Sequence, residues 1–148
     1  MFSKSTEYAL RAVVYLAKNS SEEERIGIKT IARDLGFPES YLGKVLQHLV
    51  RKNIIFSSKG PTGGFYAIPE TLNISLLDII DANEGLSFFK RCGLGLVECD
   101  DEKPCPIHDE YHVFRDGLYK SLSEKKVKDV LEDLESGIAF ISFNEGVI

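Results

Sequence analysis

No apolar run in the sequence approaches the roughly 20 residues that a membrane-spanning helix needs, so an integral helical membrane protein is not expected. The first residues, Met1-Phe-Ser-Lys-Ser-Thr-Glu, carry no secretory leader pattern. The expectation is a soluble, cytoplasmic chain with no membrane partner. In that compartment cysteines serve metal or redox chemistry more often than structural disulfides. Histidine is scarce: His48, His108 and His112 have no evident nucleophile beside them. The glycine-rich stretch Lys59–Gly64 lacks the lysine–serine/threonine ending of a phosphate-cradling loop. No hydrolase motif appears, so an enzyme is not expected.

Cysteine is as scarce as histidine, but it is concentrated. Cys92, Cys99 and Cys105 lie on one stretch that ends at His108, spaced C-x6-C-x5-C-x2-H. Paired CxxC knuckles of ordinary zinc modules are missing. Glycines, prolines and four acids (Glu98, Asp100, Asp101 and Glu102) surround the thiols, and no helical or strand period runs through them. The stretch therefore reads as a loop. Three thiols and an imidazole on one short loop can converge on a metal with little help from the fold. Thiolates select zinc, cuprous copper or iron–sulfur clusters, and imidazole suits zinc and iron. Two other readings stay open: a redox thiol switch, and small buried hydrophobes, for which the flanking acids are a poor setting.

The net charge of −5 hides an asymmetry. Residues 1–67 carry ten Lys/Arg against six Asp/Glu, and residues 68–148 carry eight against seventeen. Residues 25–67 alone hold seven against two. A polyanion would meet the N-terminal half.

The order of elements sharpens that reading. Leu10, Val13, Val14 and Ala17 recur at helical spacing over Thr6–Lys18, with Ser5 or Thr6 as N-cap. A short helix over Ile28–Leu35 ends at Gly36, and Phe37–Ser40 is a turn. Pro38 or Ser40 opens a third helix, Tyr41–Lys52, with Leu42, Val45, Leu46 and Leu49 as its apolar stripe. Asn53 stops it. Strands over Ile54–Ser58 and Phe65–Ile68 flank the basic, glycine-rich tip as a hairpin. Helix, helix, turn, helix, hairpin is the order of a winged helix-turn-helix. Beyond Pro69, Asn73 or Ser75 caps a helix over Leu76–Ala82 that Gly85 ends, and the cysteine loop follows. Tyr111, Phe114, Leu118 and Leu122 form a stripe over Asp109–Leu122 suited to a partner's equivalent helix. Ser123 caps a last helix with Val127, Val130, Leu131 and Leu134 inward, and Ile138–Ile148 reads as a packed tail or short strand.

Glu7-Tyr-Ala-Leu-Arg, Ser40-Tyr-Leu, Lys59-Gly-Pro-Thr-Gly-Gly-Phe and the cysteine triad together resemble the Rrf-two family of bacterial regulators. The resemblance runs from the first helix to His108 and weakens after Leu122. It implies a mostly helical fold with a small β-hairpin wing: a winged helix-turn-helix over residues 1–70, then a helix, a cluster loop (88–108) and dimerisation and C-terminal helices over 71–148. It implies a homodimeric transcription factor, of repressor type, on palindromic promoter DNA. In cluster-bearing members three loop cysteines hold a two-iron or four-iron sulfur cluster, and Cys92, Cys99 and Cys105 match them. IscR-like members take a histidine placed as His108 is, and NsrR-like members take an acid placed as Glu7 is, from the other subunit. Departures are Gly43, where IscR has glutamate, and a first cysteine gap one residue longer. Without a cluster, the loop would be a thiol switch or a structural zinc site. On this frame Tyr41, Lys44, Gln47 and His48 are expected to face the major groove. Ser40 and Arg51 are expected on phosphate. Lys59 would enter the minor groove or hold phosphate, with Gly60, Gly63 and Gly64 allowing close backbone approach.

Overall fold

The structure, a computed structural model, describes residues 2–141. Six α-helices and one two-stranded hairpin are found among the described residues. The segment expected to be a packed tail lies, from residue 142 onward, outside them.

Helix α1 (Lys4–Asn19) runs through the centre of the core and packs against the third, fourth and sixth helices. Ala9, Ala12, Val13 and Leu16 repeat at helical spacing and are fully buried, and the two alanines let neighbouring helices approach closely. Its cap lies earlier than the sequence predicts. Ser3, not Ser5 or Thr6, accepts the Thr6 N–H at 3.2 Å. Thr6 is buried, and Asn83 donates to its hydroxyl at 2.8 Å.

Helices α2 (Ile28–Leu35) and α3 (Glu39–Arg51) form the helix-turn-helix. Gly36, at φ 69°, takes the left-handed conformation that ends α2, and the Phe37 N–H returns to the Ala32 carbonyl at 2.9 Å. Leu42, Val45, Leu46 and Leu49 of α3 are buried. Burying each such side chain contributes about 1.5–3 kcal/mol. Asn53, at φ 58°, ends α3 as expected.

Strands β1 (Phe56–Ser58) and β2 (Gly64–Tyr66) pair antiparallel, with Phe56 opposite Tyr66 and Ser58 opposite Gly64. Both are shorter than predicted. Ile54 and Ile55 are buried under α3 instead of joining the ladder, and the Ala67 N–H is taken by the Ser20 hydroxyl. Ile26 exchanges two backbone bonds with Phe65, at 2.9 and 2.8 Å, and ties the wing to the approach to α2. A Cβ on Gly63 would lie 2.3 Å from the Ser58 carbonyl oxygen, and one on Gly64 2.6 Å from that of Ile26. These glycines are demanded by the hairpin's own packing.

After a 3₁₀ turn (Pro69–Asn73), α4 (Leu76–Glu84) starts from a reciprocal Ser75–Asp78 cap. A second short turn (Ser87–Lys90) leads into the cysteine loop, then α5 (His108–Glu124) and α6 (Val127–Glu135). Ser123 does not cap α6. It lies inside α5, its hydroxyl bonded to the Lys120 carbonyl, and Asp129 instead accepts the Lys126 N–H at the start of α6. The α5 stripe divides. Leu118 and Leu122 pack on a small core of Leu77, Ile80 and Phe89, whereas Phe114 stays 78% exposed.

Candidate DNA-reading face and cysteine centre

The reading face is what α3 does not bury. Ser40, Tyr41, Lys44, Gln47 and Arg51 are exposed. Ser40, Lys44, Gln47 and Arg51 border a groove of about 460 Å³ whose other wall is Ile28 of α2 and Phe65 of the wing. Gly43 lines it too, and a Cβ there would stand 3.1 Å from Ile28 Cδ1, so a larger residue would press against α2. His48 is placed differently. It is half-buried, and its Nε2 bonds the Ala82 carbonyl at 2.8 Å, joining α3 to α4. At the wing tip Lys59 and Gly60 are exposed, and Gly63 N–H closes the turn on the Gly60 carbonyl at 2.9 Å.

The contacts that order this face are not legible in the motifs, although Tyr8 and Arg11 stand within Glu7-Tyr-Ala-Leu-Arg. Tyr41 stands edge-on to Tyr8 at 5.4 Å, Tyr8 stacks on Phe37 at 3.7 Å, and Arg11 covers Phe37 at 4.4 Å. A ring from α1 thus holds a ring of the reading helix. The signal was present in Tyr8 and Arg11 lying one turn apart, but their partner is distant in sequence.

The cysteine loop begins at Cys92 and ends at His108, both of which are buried. The Cys92 and Cys105 sulfurs are 3.5 Å apart as free thiols. The Cys99 sulfur lies 3.2 Å from His108 Nδ1. His108 is 7% exposed, and its Nε2 is 2.9 Å from the Asp101 carboxylate. All four residues singled out by spacing are therefore drawn together, in two pairs. Among the described residues no group of three or more His, Cys, Asp or Glu is arranged to hold a metal ion. Glu7 sits apart. It is exposed in the first turn of α1 and pairs with Lys4 at 3.4 Å.

The electrostatics of the loop are uneven. The Leu94 N–H, directed at the Cys92 sulfur from 3.4 Å, is the main force holding that thiol below the ordinary cysteine range, with help from Cys105 and Arg115. The Ile107 N–H favours the Cys105 thiolate, but desolvation and the Cys92 and Cys99 sulfurs outweigh it and push Cys105 up. Arg115 of α5 reaches into the loop with a side chain only 10% exposed. Its Nη1 donates to the Arg91 carbonyl at 3.2 Å. Burial opposes its charge, yet the facing Cys99 sulfur and Asp116 raise its pKa further. Neither Asp101 nor Arg115 stood out in the sequence, where one was an acid among four and the other lay beside an apolar stripe.

A helix-turn-helix, a paired wing and a basic reading face define a winged-helix DNA-binding regulator of transcription. The comparisons narrow that class. The chain belongs to the Rrf2 family, whose model, described as an iron-dependent transcriptional regulator, matches residues 2–133. An Aquifex aeolicus protein provisionally named an HTH-type transcriptional regulator is 28% identical over 88% of this chain and 91% of its own length. The HTH-type transcriptional regulator NsrR of Geobacillus kaustophilus is 27% identical over 88% of this chain and 89% of its own. Among solved structures, the cysteine regulator CymR of B. subtilis superposes with a TM-score of 0.70 at 23% identity, covering 88% of this chain and 95% of that one. IscR of T. potens gives 0.69 at 20% identity, covering 97% and 94%. These relatives are regulators, not enzymes. No helix among the described residues is long and apolar enough to cross a membrane.

Proposed function

We propose that the chain is a homodimeric repressor that binds palindromic promoter DNA. In this reading it senses redox state, nitric oxide or iron–sulfur status through a cluster held by Cys92, Cys99 and Cys105. The single observation that carries the reading is the meeting of three free thiols and one buried imidazole in two close pairs on an otherwise irregular acidic loop. The donor set suits iron–sulfur ligation. Cluster ligands bind different irons and need not surround one point, so a two-pair arrangement is compatible with a cluster. When bound, a cluster supplies reversible electron transfer and reactivity toward small oxidants and nitric oxide.

His108 is the favoured fourth ligand. Its Nδ1 already faces Cys99, while its Nε2 donates to the Asp101 carboxylate, the carboxylate–histidine arrangement that fixes a ligating ring. Glu7 would need to come from a partner subunit. The exposed Val113 and Phe114 on α5 support a dimer through that helix. On DNA, Gln47 and Lys44 read base edges, Tyr41 packs beside them, and Ser40, Arg51 and Lys59 hold phosphate. His48 acts from behind, as a brace between α3 and α4.

A second reading keeps the same scaffold but makes the loop a thiol switch, and the 3.5 Å Cys92–Cys105 contact favours it over structural zinc. Visible and electron paramagnetic resonance spectra of anaerobically purified protein, with iron and sulfide counts, separate the readings. Thiolate-to-iron bands that vanish in Cys105→Ser support the cluster, and loss in His108→Ala but not Glu7→Ala assigns the fourth ligand. A colourless protein after anaerobic reconstitution with ferrous iron and sulfide overturns the cluster reading.

A further inference from the structure

We infer that Arg115 is the positioning residue of the cysteine centre, tethering the loop to α5 and supplying a buried positive charge beside its sulfurs. The inference rests on the reading of the loop as a metal or cluster site.

Its basis is a feature that folding alone would select against. An arginine on an exposed, polar helix ordinarily extends into solvent. Arg115 instead turns inward until its side chain is 10% exposed, and its Nε is fully enclosed without a hydrogen-bond partner. Asp116 stands 3.5 Å from that nitrogen and does not satisfy it. Burying a guanidinium costs stability, which the Asp116 ion pair and the Arg91 bond offset in part. The surroundings identify a further gain. Nη1 holds the Arg91 carbonyl, the residue immediately before Cys92. Of the groups that favour its charge, the Cys99 sulfur, the middle thiol, comes first. The Tyr111 ring, one turn earlier on α5, flanks the guanidinium at 5.9 Å, and a Cβ on Gly93 would collide with that same ring at 2.8 Å. One side chain thus joins the start of the loop, its midpoint and α5. Three thiolates gathered around a metal centre carry excess negative charge, and a planar, permanently charged guanidinium with several donors suits that role better than lysine.

The test uses the full-length protein with Arg115→Gln and Arg115→Lys. Lys120→Ala on the same helix serves as control, since Lys120 is an exposed cation further along α5. Two probes are read: cobalt(II) titration of the cluster-free protein, followed by thiolate-to-cobalt absorption, and the midpoint potential of protein reconstituted with ferrous iron and sulfide. Arg115→Gln is expected to weaken cobalt binding about tenfold and to lower the midpoint potential, because the oxidised centre is less negative. Arg115→Lys restores the potential but recovers only part of the cobalt affinity, since charge returns without the fork. Thermal unfolding of the cluster-free variants should equal or exceed wild type, since the burial cost of Arg115 is relieved, so a folding defect is not the cause. Unchanged cobalt affinity and potential in Arg115→Gln overturn the inference. Wild-type protein that binds cobalt through its thiolates but takes up no cluster refutes the cluster reading and leaves the cobalt arm to decide Arg115. Wild-type protein that binds neither overturns both.

Discussion

Lys59 offers the sharpest test of the wing. Its side chain is exposed and makes no hydrogen bond or ion pair among the described residues, and the adjoining turn is closed by backbone atoms of Gly60 and Gly63. Lys59→Ala therefore removes a charge without removing an internal contact, and folding stability should change by less than about 0.5 kcal/mol. Any loss of DNA binding then belongs to the interface. If Lys59 neutralises one phosphate, each wing contributes about 0.9 to the slope of log affinity against log salt, and a dimer with two wings about 1.8. Between 50 and 200 mM salt, a span of about 0.6 log units, wild type should lose about one decade of affinity more than the variant. Fluorescence anisotropy with one operator duplex and one unrelated duplex, at four salt concentrations, reads this directly. A phosphate contact lowers affinity for both duplexes alike, whereas a base contact penalises the operator alone. Parallel salt plots for variant and wild type would refute the assignment.

Tyr15 is buried and donates to Asp34 at 2.6 Å, so Tyr15→Phe should cost about 1.5 kcal/mol, measured by urea unfolding at neutral pH. Desolvation first, and the Asp34 bond second, raise the Tyr15 pKa to about 12. The folded state keeps that proton longer than the unfolded chain does. Its contribution is therefore complete below pH 10 and lost as pH rises toward 12, a decline that Tyr15→Phe should lack. Phe114→Glu places a charge in the most exposed part of the α5 stripe and should shift a dimer to monomer in analytical ultracentrifugation, with DNA affinity falling because paired half-sites are no longer read together. An unchanged sedimentation coefficient would place the dimer contact elsewhere. His48→Phe keeps the ring but removes the bond to Ala82, and should weaken operator binding several-fold with an unaltered salt slope, read in the same anisotropy assay. A reduced slope would return His48 to the list of phosphate contacts.

What the sequence disclosed follows from the range of the interactions involved. Gly36 and Asn53 mark the ends of α2 and α3 because a left-handed residue is a local requirement, visible without a partner. The α3 stripe and the hairpin order are local in the same way. Strand lengths were misjudged because Ile54 and Ile55 have β-branched, apolar character but are claimed by the core under α3. Ser123 failed as a cap for a related reason: α5 continues through it to Glu124, and α6 is anchored by backbone pairing of Lys126 with Ser75 far away in sequence. That the four loop residues would be drawn near one another was legible from their spacing. Asp101 and Arg115 were not, since their meaning comes only from a ring and a sulfur brought beside them by folding.

Helix α4 is the element through which loop and reading face share structure. On one side Leu77 and Ile80 receive Leu118 and Leu122 of α5, the helix that His108 opens and from which Arg115 reaches the Arg91 carbonyl beside Cys92. On the other side its last turn carries Ala82, whose carbonyl holds His48 of α3, and Asn83, which donates to Ser5 and Thr6 of α1. Helix α1 in turn presents Tyr8 to Tyr41. A rigid shift of α5 against α4 would therefore reach α3 by two routes, one through His48 and one through α1 and its aromatic stack. Both routes consist of packed or hydrogen-bonded side chains, which resist compression and move as units. A sensor in the loop needs no direct contact with DNA to change how α3 is presented to it. It needs only to favour one position of α5 over another.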